Sequence, residues 1–423
     1  MSESYTMAQA ATVEILDNGM TVALEHLPYL RSASIAIWIR TGSAHETPEE
    51  NGIAHFIEHL LFKGTEKRTA HDIMDAIESR GGHFNAFTSR GYTCYYVRIL
   101  EQHTAAAIEV LADIVKNSIF HDMDKERGVI LEEIATNEDT PDDFIHDLLA
   151  LYHWPDHALG RPIAGSAASV TGITKDMVRD FSRRWYNPAN MYFVISGNID
   201  TEAVLGQLRE EFSPLPGSPV AQPDSAPVFQ AGIEGHERDI AQAHLTLAFP
   251  GPKLATQERF VADLTSMVLG GGSTSRLFER IREDEGLAYN IQTFSSYYPT
   301  AGMLGVYAAV APENYRKTLD LTFQEIRKVR DEGVPQKELD ACREQIKGYT
   351  LMSLESTFSR GSRMAKSLML HGRIVPIEEL IEQLEAVTTD DVQAFAAKTF
   401  RPENTAHVVL APASAGLLEA VAL

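Results

Sequence analysis

Residues 51–65 read NGIAHFIEHLLFKGT, two histidines and a glutamate inside a segment that otherwise has the pattern of a buried helix. At about 100° per residue, Ile53, Phe56, Ile57, Leu60 and Leu61 share a broad apolar arc, while His55, Glu58 and His59 share a narrow polar arc opposite. A polar arc in an apolar helix needs a partner, because an unpaired polar group away from water costs free energy. His55 and His59 stand at i and i+4, so both imidazoles reach one cation, and Glu58 lies one turn from His55 on the same side. The pattern is that of a metal site with a carboxylate beside it.

A tetrahedral zinc with two histidines needs a third protein ligand and an open position for water. The dense group of carboxylates downstream falls on a helix expected over 125–137: Glu126, Glu132 and Glu133. Glu126 and Glu133 are two turns apart on one face, and Glu132 is rotated from Glu133 by about 100°. Spacing alone leaves the choice among them open.

The same residues carry a resemblance. His-x-x-Glu-His is the inverted zincin order, and here it continues into Phe62-Lys63-Gly64-Thr65. The stretch resembles the pitrilysin and mitochondrial processing peptidase family of zinc metallopeptidases. Glu126-Arg127 with Glu133 is similar to that family's Glu-Arg-x-x-x-x-x-Glu, whose last glutamate binds zinc. The resemblance therefore implies His55, His59 and Glu133 as ligands of one Zn²⁺ per chain and Glu58 as the general base; Glu126 reads either as the group orienting an imidazole or as a plain surface carboxylate. It implies that Asn85, Ala86 and Thr88, from Asn85-Ala86-Phe87-Thr88, form a strand edge onto which an extended peptide is laid. Arg282 and Tyr289, seven residues apart, match an Arg and a Tyr that reach the reacting carbonyl. Asp143 and Asp147 match two acids that pair with a substrate arginine in processing peptidases, and their i, i+4 spacing lets both face one guanidinium.

At 423 residues, 44% hydrophobic and 23% charged, the composition is that of a globular chain of more than one domain. The net charge of -22 argues against nucleic acid, whose phosphates need a basic surface, and fits either cationic ligands or simple solubility. Cys94 and Cys342 are the only cysteines, which leaves no disulfide framework or thiolate cluster and points to a reducing compartment. The opening residues lack a basic region followed by an apolar one, and no apolar run is long enough to span a membrane. The expectation is a cytoplasmic, bacterial protein without a membrane partner.

Along the chain, strands over 12–16 and 20–25 flank Asp17-Asn18-Gly19, where Asn-Gly predicts a type I′ hairpin. Residues 34–41 read as a core strand, 84–89 and 93–99 as a strand pair, and 191–197 as a buried strand. Residues 214–228, rich in Pro and Ser, read as a linker between a zinc-binding domain over 1–213 and a second domain over 229–423. The second half looks like a degenerate copy: residues 312–345 repeat the helix, link, helix of 103–133, setting Glu126 against Glu338 and Glu133 against Gln345, while the metal-binding helix has no counterpart. The expected fold class is α+β, two homologous αβ domains related by duplication, each a mainly antiparallel sheet covered by helices. The resemblance further implies half of a clamshell, and a homodimer or heterodimer acting on peptides, basic ones included. The alternative is a non-catalytic partner or core subunit of a heteromeric complex, which loss of metal ligands would mark; none is lost.

Overall fold

The computed structural model describes residues 11–412, so all but the last few of the opening residues scanned for a leader lie outside it. The chain forms two compact units, each built on one sheet. Among the described residues no helix is long and apolar enough to cross a membrane.

The first unit holds strands β1 (Thr12–Ile15), β2 (Thr21–His26), β3 (Ser32–Ile39), β4 (His83–Thr88), β5 (Thr93–Leu100) and β6 (Met191–Gly197), in the order β1-β2-β6-β3-β5-β4. Only β2 and β6 pair in parallel. Helices α1 (Ile53–Leu61), α2 (Ala70–Glu78), α3 (Thr104–Asn117) and the first part of α4 (Met123–Glu138) belong to this unit. Ile35, Ile37 and Ile39 of β3 join a core with Phe56, Ile57 and Leu60 of α1. Ala36 and Trp38, one residue out of phase, pack instead with Met364, Ala365 and Leu368 of the helix Thr357–His371. Both faces are covered, so β3 reads as an unbroken apolar run.

The β1–β2 turn differs from the expected type I′. Gly19 alone has positive φ (86°), and Asn18 does not. The Leu16 and Met20 backbones bond to each other around a three-residue loop, and Asn18 uses its side-chain amide to donate to Phe212 O (2.7 Å) and Leu215 O (3.3 Å). The tertiary contact decides the conformation of Asn18.

The second unit has β7 (Gly232–Glu237), β8 (Ala243–Gly251), β9 (Ala288–Tyr297), β10 (Gly302–Val310) and β11 (Ala406–Ala411), in the order β7-β11-β8-β10-β9. Place for place this repeats β2-β6-β3-β5-β4, down to the single parallel pair, β7 with β11. The helix Glu258–Gly270, between β8 and β9, occupies the topological place of α1 and corrects the expectation that the metal helix has no counterpart. With Val261-Ala262 set on Ile53-Ala54, Asp263, Ser266 and Met267 fall on His55, Glu58 and His59. The apolar face survives and the ligands do not.

The units are not the contiguous blocks 1–213 and 229–423. Residues 135–162, with α5 (Pro141–His153), belong to the second unit, and Leu351–Val375 belongs to the first. In the second unit His146 of α5 packs its ring 4.8 Å from Phe294 and 5.4 Å from Tyr307. An apolar helical stripe specifies that it must be buried but not against which sheet. Residues 214–231 carry no helix or strand. Leu215 and Val220 nevertheless pack on the first core.

Thr357–His371 is tied to β2 by a buried ion pair. Arg360 Nε donates to Glu25 Oε2 (2.8 Å) and Nη2 to Oε1 (2.5 Å), and Ser196 Oγ donates to Oε2 (2.7 Å). Glu25 is 6% exposed and Arg360 8%.

Candidate metal centre

The metal helix starts at Gly52, whose φ of 95° suits glycine. A Cβ there would lie 2.6 Å from Ala164 O. Glycine has no capping side chain, and the orphan N–H groups of the first turn are met from a distance. The buried carboxylate of Glu46 accepts from Gly52 N (2.9 Å), Ala54 N (2.9 Å) and Asn51 Nδ2 (3.0 Å). Glu46 is a positioning residue that the sequence reading missed. A local search finds only the Thr47 to Glu50 capping box next to it, although a glycine at the cap position was itself a sign that an acceptor must come from elsewhere.

Ile53, Phe56, Ile57 and Leu60 are fully buried in the core and fix the roll of α1. That roll turns His55, Glu58 and His59 toward α4. One donor atom each from His55, His59 and Glu133 lies within 4.8 Å of the others, the only such group among the described residues. His55 Nε2 is 3.6 Å from Glu133 Oε1, and His59 Nε2 is 3.5 Å from Oε2. Ligands about 2.0–2.1 Å from a tetrahedral zinc lie about 3.4 Å apart, so this donor set and spacing fit that ion. The Glu133 side chain is half exposed, which leaves the cluster open on one side. Glu132, on the same helix, is exposed and outside the cluster.

The two imidazoles are held differently. Burial pulls His55 down to about 4, with Glu133 opposing, which keeps the ring neutral and its lone pair available near pH 7. Its buried Nδ1 has no hydrogen-bond partner among the described residues. Burial also works against charge on His59, but Glu133, Glu126 and Glu58 outweigh it and raise its pKa. The hydrogen bond from His59 sets the Glu133 carboxyl below its ordinary value, against burial, which raises it.

Glu126, 1% exposed, faces His59 Nδ1 at 3.4 Å, the nitrogen turned away from Glu133. Lys63 Nζ, from the Phe-Lys-Gly-Thr run, lies 2.9 Å from Glu126 Oε1 and balances its buried charge. Arg127 holds α4 in place, its guanidinium 5.4 Å from the Phe56 ring and donating to Val170 O and Ile173 O. Burial raises the Glu58 pKa, partly offset by a hydrogen bond from Thr88 Oγ1 to Oε2 (2.5 Å) and by His59. Thr88, expected at the peptide, therefore bonds the carboxylate that stands beside the ligands.

Among the described residues β4 is an edge strand, paired with β5 alone. The N–H of Ala86 is met by Asn85 Oδ1 (2.8 Å). Arg282 and Tyr289 are together in the second unit: Arg282 lies in the π-helix Phe278–Asp284, donates to Tyr289 O (2.9 Å), and sets its guanidinium 4.6 Å from the Phe278 ring and 4.7 Å from the Tyr289 ring. The Tyr289 side chain is 81% exposed. Asp143 and Asp147 stand one turn apart on α5, Asp143 exposed and Asp147 accepting from Asn137 Nδ2 (2.9 Å).

Comparison with known proteins agrees with this layout. The model described as Insulinase (Peptidase family M16) matches residues 21–167, and that described as Peptidase M16 inactive domain matches 172–346. Two relatives, both named as uncharacterized zinc proteases, come from Streptomyces coelicolor (39% identical, 90% of this chain and 85% of the relative) and Bacillus subtilis (36%, 93% and 97%). A protease from Helicobacter pylori has the same fold, with a TM-score of 0.88 at 20% identity over 95% of this chain and 99% of that one. A peptidase M16 inactive domain from Pseudomonas fluorescens has it too, at 0.88 and 19% over 95% and 98%. The duplicated α+β architecture, the inverted His-x-x-Glu-His helix and relatives similar over most of their length place the chain in peptidase family M16.

Proposed function

We propose that this chain is a zinc-dependent endopeptidase of the processing-peptidase type, acting on extended segments of polypeptide. The observation that carries the reading is the convergence of His55, His59 and Glu133 within 4.8 Å, with the Glu58 carboxyl on the same helix beside them. His55 Nε2, His59 Nε2 and Glu133 would hold one Zn²⁺. When bound, the ion supplies Lewis acidity, lowering the pKa of a water toward neutrality and polarising the scissile carbonyl. Glu58 takes the proton of the attacking water and returns it to the leaving amine; its raised pKa brings it closer to the working pH of a general base. Thr88 aims one oxygen of Glu58 and leaves the other for the proton. Glu126, backed by Lys63, orients His59.

The substrate pairs its main chain with the open edge of β4, which holds any sequence extended. Asn85 gives up its own contact with the Ala86 N–H when the peptide arrives. Arg282 and the exposed Tyr289 hydroxyl donate to the developing oxyanion or the main chain beside it. The reading as a non-catalytic subunit is not favoured, since each ligand position and the base are filled.

Chelation tests the reading. Protein stripped of metal should not cleave an unstructured peptide, and about one equivalent of zinc per chain should restore cleavage. Cleavage that survives complete stripping sinks the proposal. A second expectation concerns selectivity: Asp143 and Asp147 favour arginine two residues before the scissile bond. In a peptide library the Asp143→Ala plus Asp147→Ala chain should lose this preference by about tenfold, the loss of one charge-assisted pair. A library profile with no basic preference, or one unchanged in the double variant, removes the acids from substrate binding.

A further inference from the structure

The helix Tyr315–Glu332 of the second unit sets Arg316, Asp320, Phe323, Arg327 and Arg330 along one face, at steps of three and four residues. This face lines a cavity of about 200 Å³, closed on its other side by Phe249 at the end of β8 and by Phe400 and Arg401 before β11. The Phe249 and Phe400 rings meet edge to face, centroids 4.9 Å apart. The cavity thus joins an aromatic floor to four guanidinium groups in a chain of net charge -22.

The four cations have different partners. Arg316 faces Asp320 at 3.5 Å, and Arg330 is held by the Asp331 carboxylate (2.7 and 2.9 Å). Arg401 Nε donates to a main-chain oxygen, Ala397 O (2.9 Å). Arg327 is exposed and makes no hydrogen bond or close ion pair among the described residues. The cavity lining carries four guanidinium groups and one carboxylate, Asp320, beside its apolar surface, a balance that attracts an anion. Guanidinium groups match carboxylate and phosphate oxygens in pairs, and aromatic rings cover an apolar body but gain nothing from a bare inorganic ion.

We infer that this cavity is a binding site for a small amphiphilic organic anion, a carboxylate or phosphate head carried on a short apolar body. Its volume lies below the roughly 300–1,000 Å³ of sites for drug-sized ligands, which sets the body at a short chain or a single ring. The inference is independent of the peptidase reading, because none of its residues belongs to the metal cluster, to β4 or to the Arg282 and Tyr289 pair.

Calorimetric titration of the full chain with octanoate tests it, with inorganic phosphate and octan-1-ol as head-only and tail-only probes. One saturable octanoate site per chain is expected, at least about tenfold tighter than either control and weakened at least about tenfold in Arg327→Gln, the loss of one charged contact. Arg327 is exposed, so that variant should unfold at the wild-type temperature, and Phe323→Ser should weaken octanoate while leaving phosphate unchanged. Absence of saturable octanoate binding up to about 10 mM, a range weaker than ordinary specific sites, overturns the inference. So does octanoate binding that Arg327→Gln and Phe323→Ser both leave intact.

Discussion

Replacing Glu58 by Gln should lower kcat/KM for an unstructured peptide by about 10²–10⁴-fold, the usual share of a general base, while the chain keeps its zinc. Glutamine has the shape of glutamate, and its side-chain oxygen can still accept from Thr88 Oγ1, now 2.5 Å from the Glu58 carboxylate. The core residues that fix the roll of α1 are untouched. What is lost is the carboxylate that takes the proton, whose pKa burial raises. Metal content and cleavage measured on the same preparation separate this outcome from loss of the ion. Activity within about tenfold of wild type, below the expected range, would remove Glu58 as the base.

Removing the Glu25 carboxylate should have the largest effect on stability. Glu25→Ala leaves the Arg360 guanidinium buried without its bidentate partner. Breaking such a pair costs about 3–5 kcal/mol, whereas replacing both members with apolar residues is often neutral. Ser196 Oγ and Arg360 Nη1, which donates to Leu354 O (3.1 Å), recover only part of the loss. Denaturant unfolding followed through Trp38, buried under the same helix, reports on this unit. The single variant should lower its midpoint strongly, and Glu25→Leu with Arg360→Met should restore most of it. A single-variant cost below about 1 kcal/mol, the range of an exposed pair, would contradict the assignment.

The parts of the fold legible in the sequence are those in which a side-chain period meets a buried face. The polar arc of α1 was legible because three polar residues interrupt an apolar helix in phase, and β3 because both its faces are apolar. The choice of Glu133 over Glu126 was not available from spacing, since both share a face of α4; it came from the resemblance, and in the fold Glu126 lies behind His59. Contacts that depend on distant chain were illegible. Glu46 caps a helix from an irregular loop, Thr88 crosses from β4 to Glu58, and Asn18 takes its conformation from Phe212 and Leu215. The exchange of α5 and Thr357–His371 between units was hidden for the same reason: each helix displays an apolar stripe and nothing local names the sheet that receives it.

The central claim is that His55, His59 and Glu133 together hold the catalytic ion. Zinc per chain, measured by mass spectrometry after dialysis against equal free zinc, tests it in wild type and Glu133→Ala. The account predicts about one zinc in the wild type and little in the variant, because two imidazoles alone leave the tetrahedral site a ligand short. A wild-type chain that takes up no zinc, or a Glu133→Ala chain that holds it as well as wild type, would contradict the account.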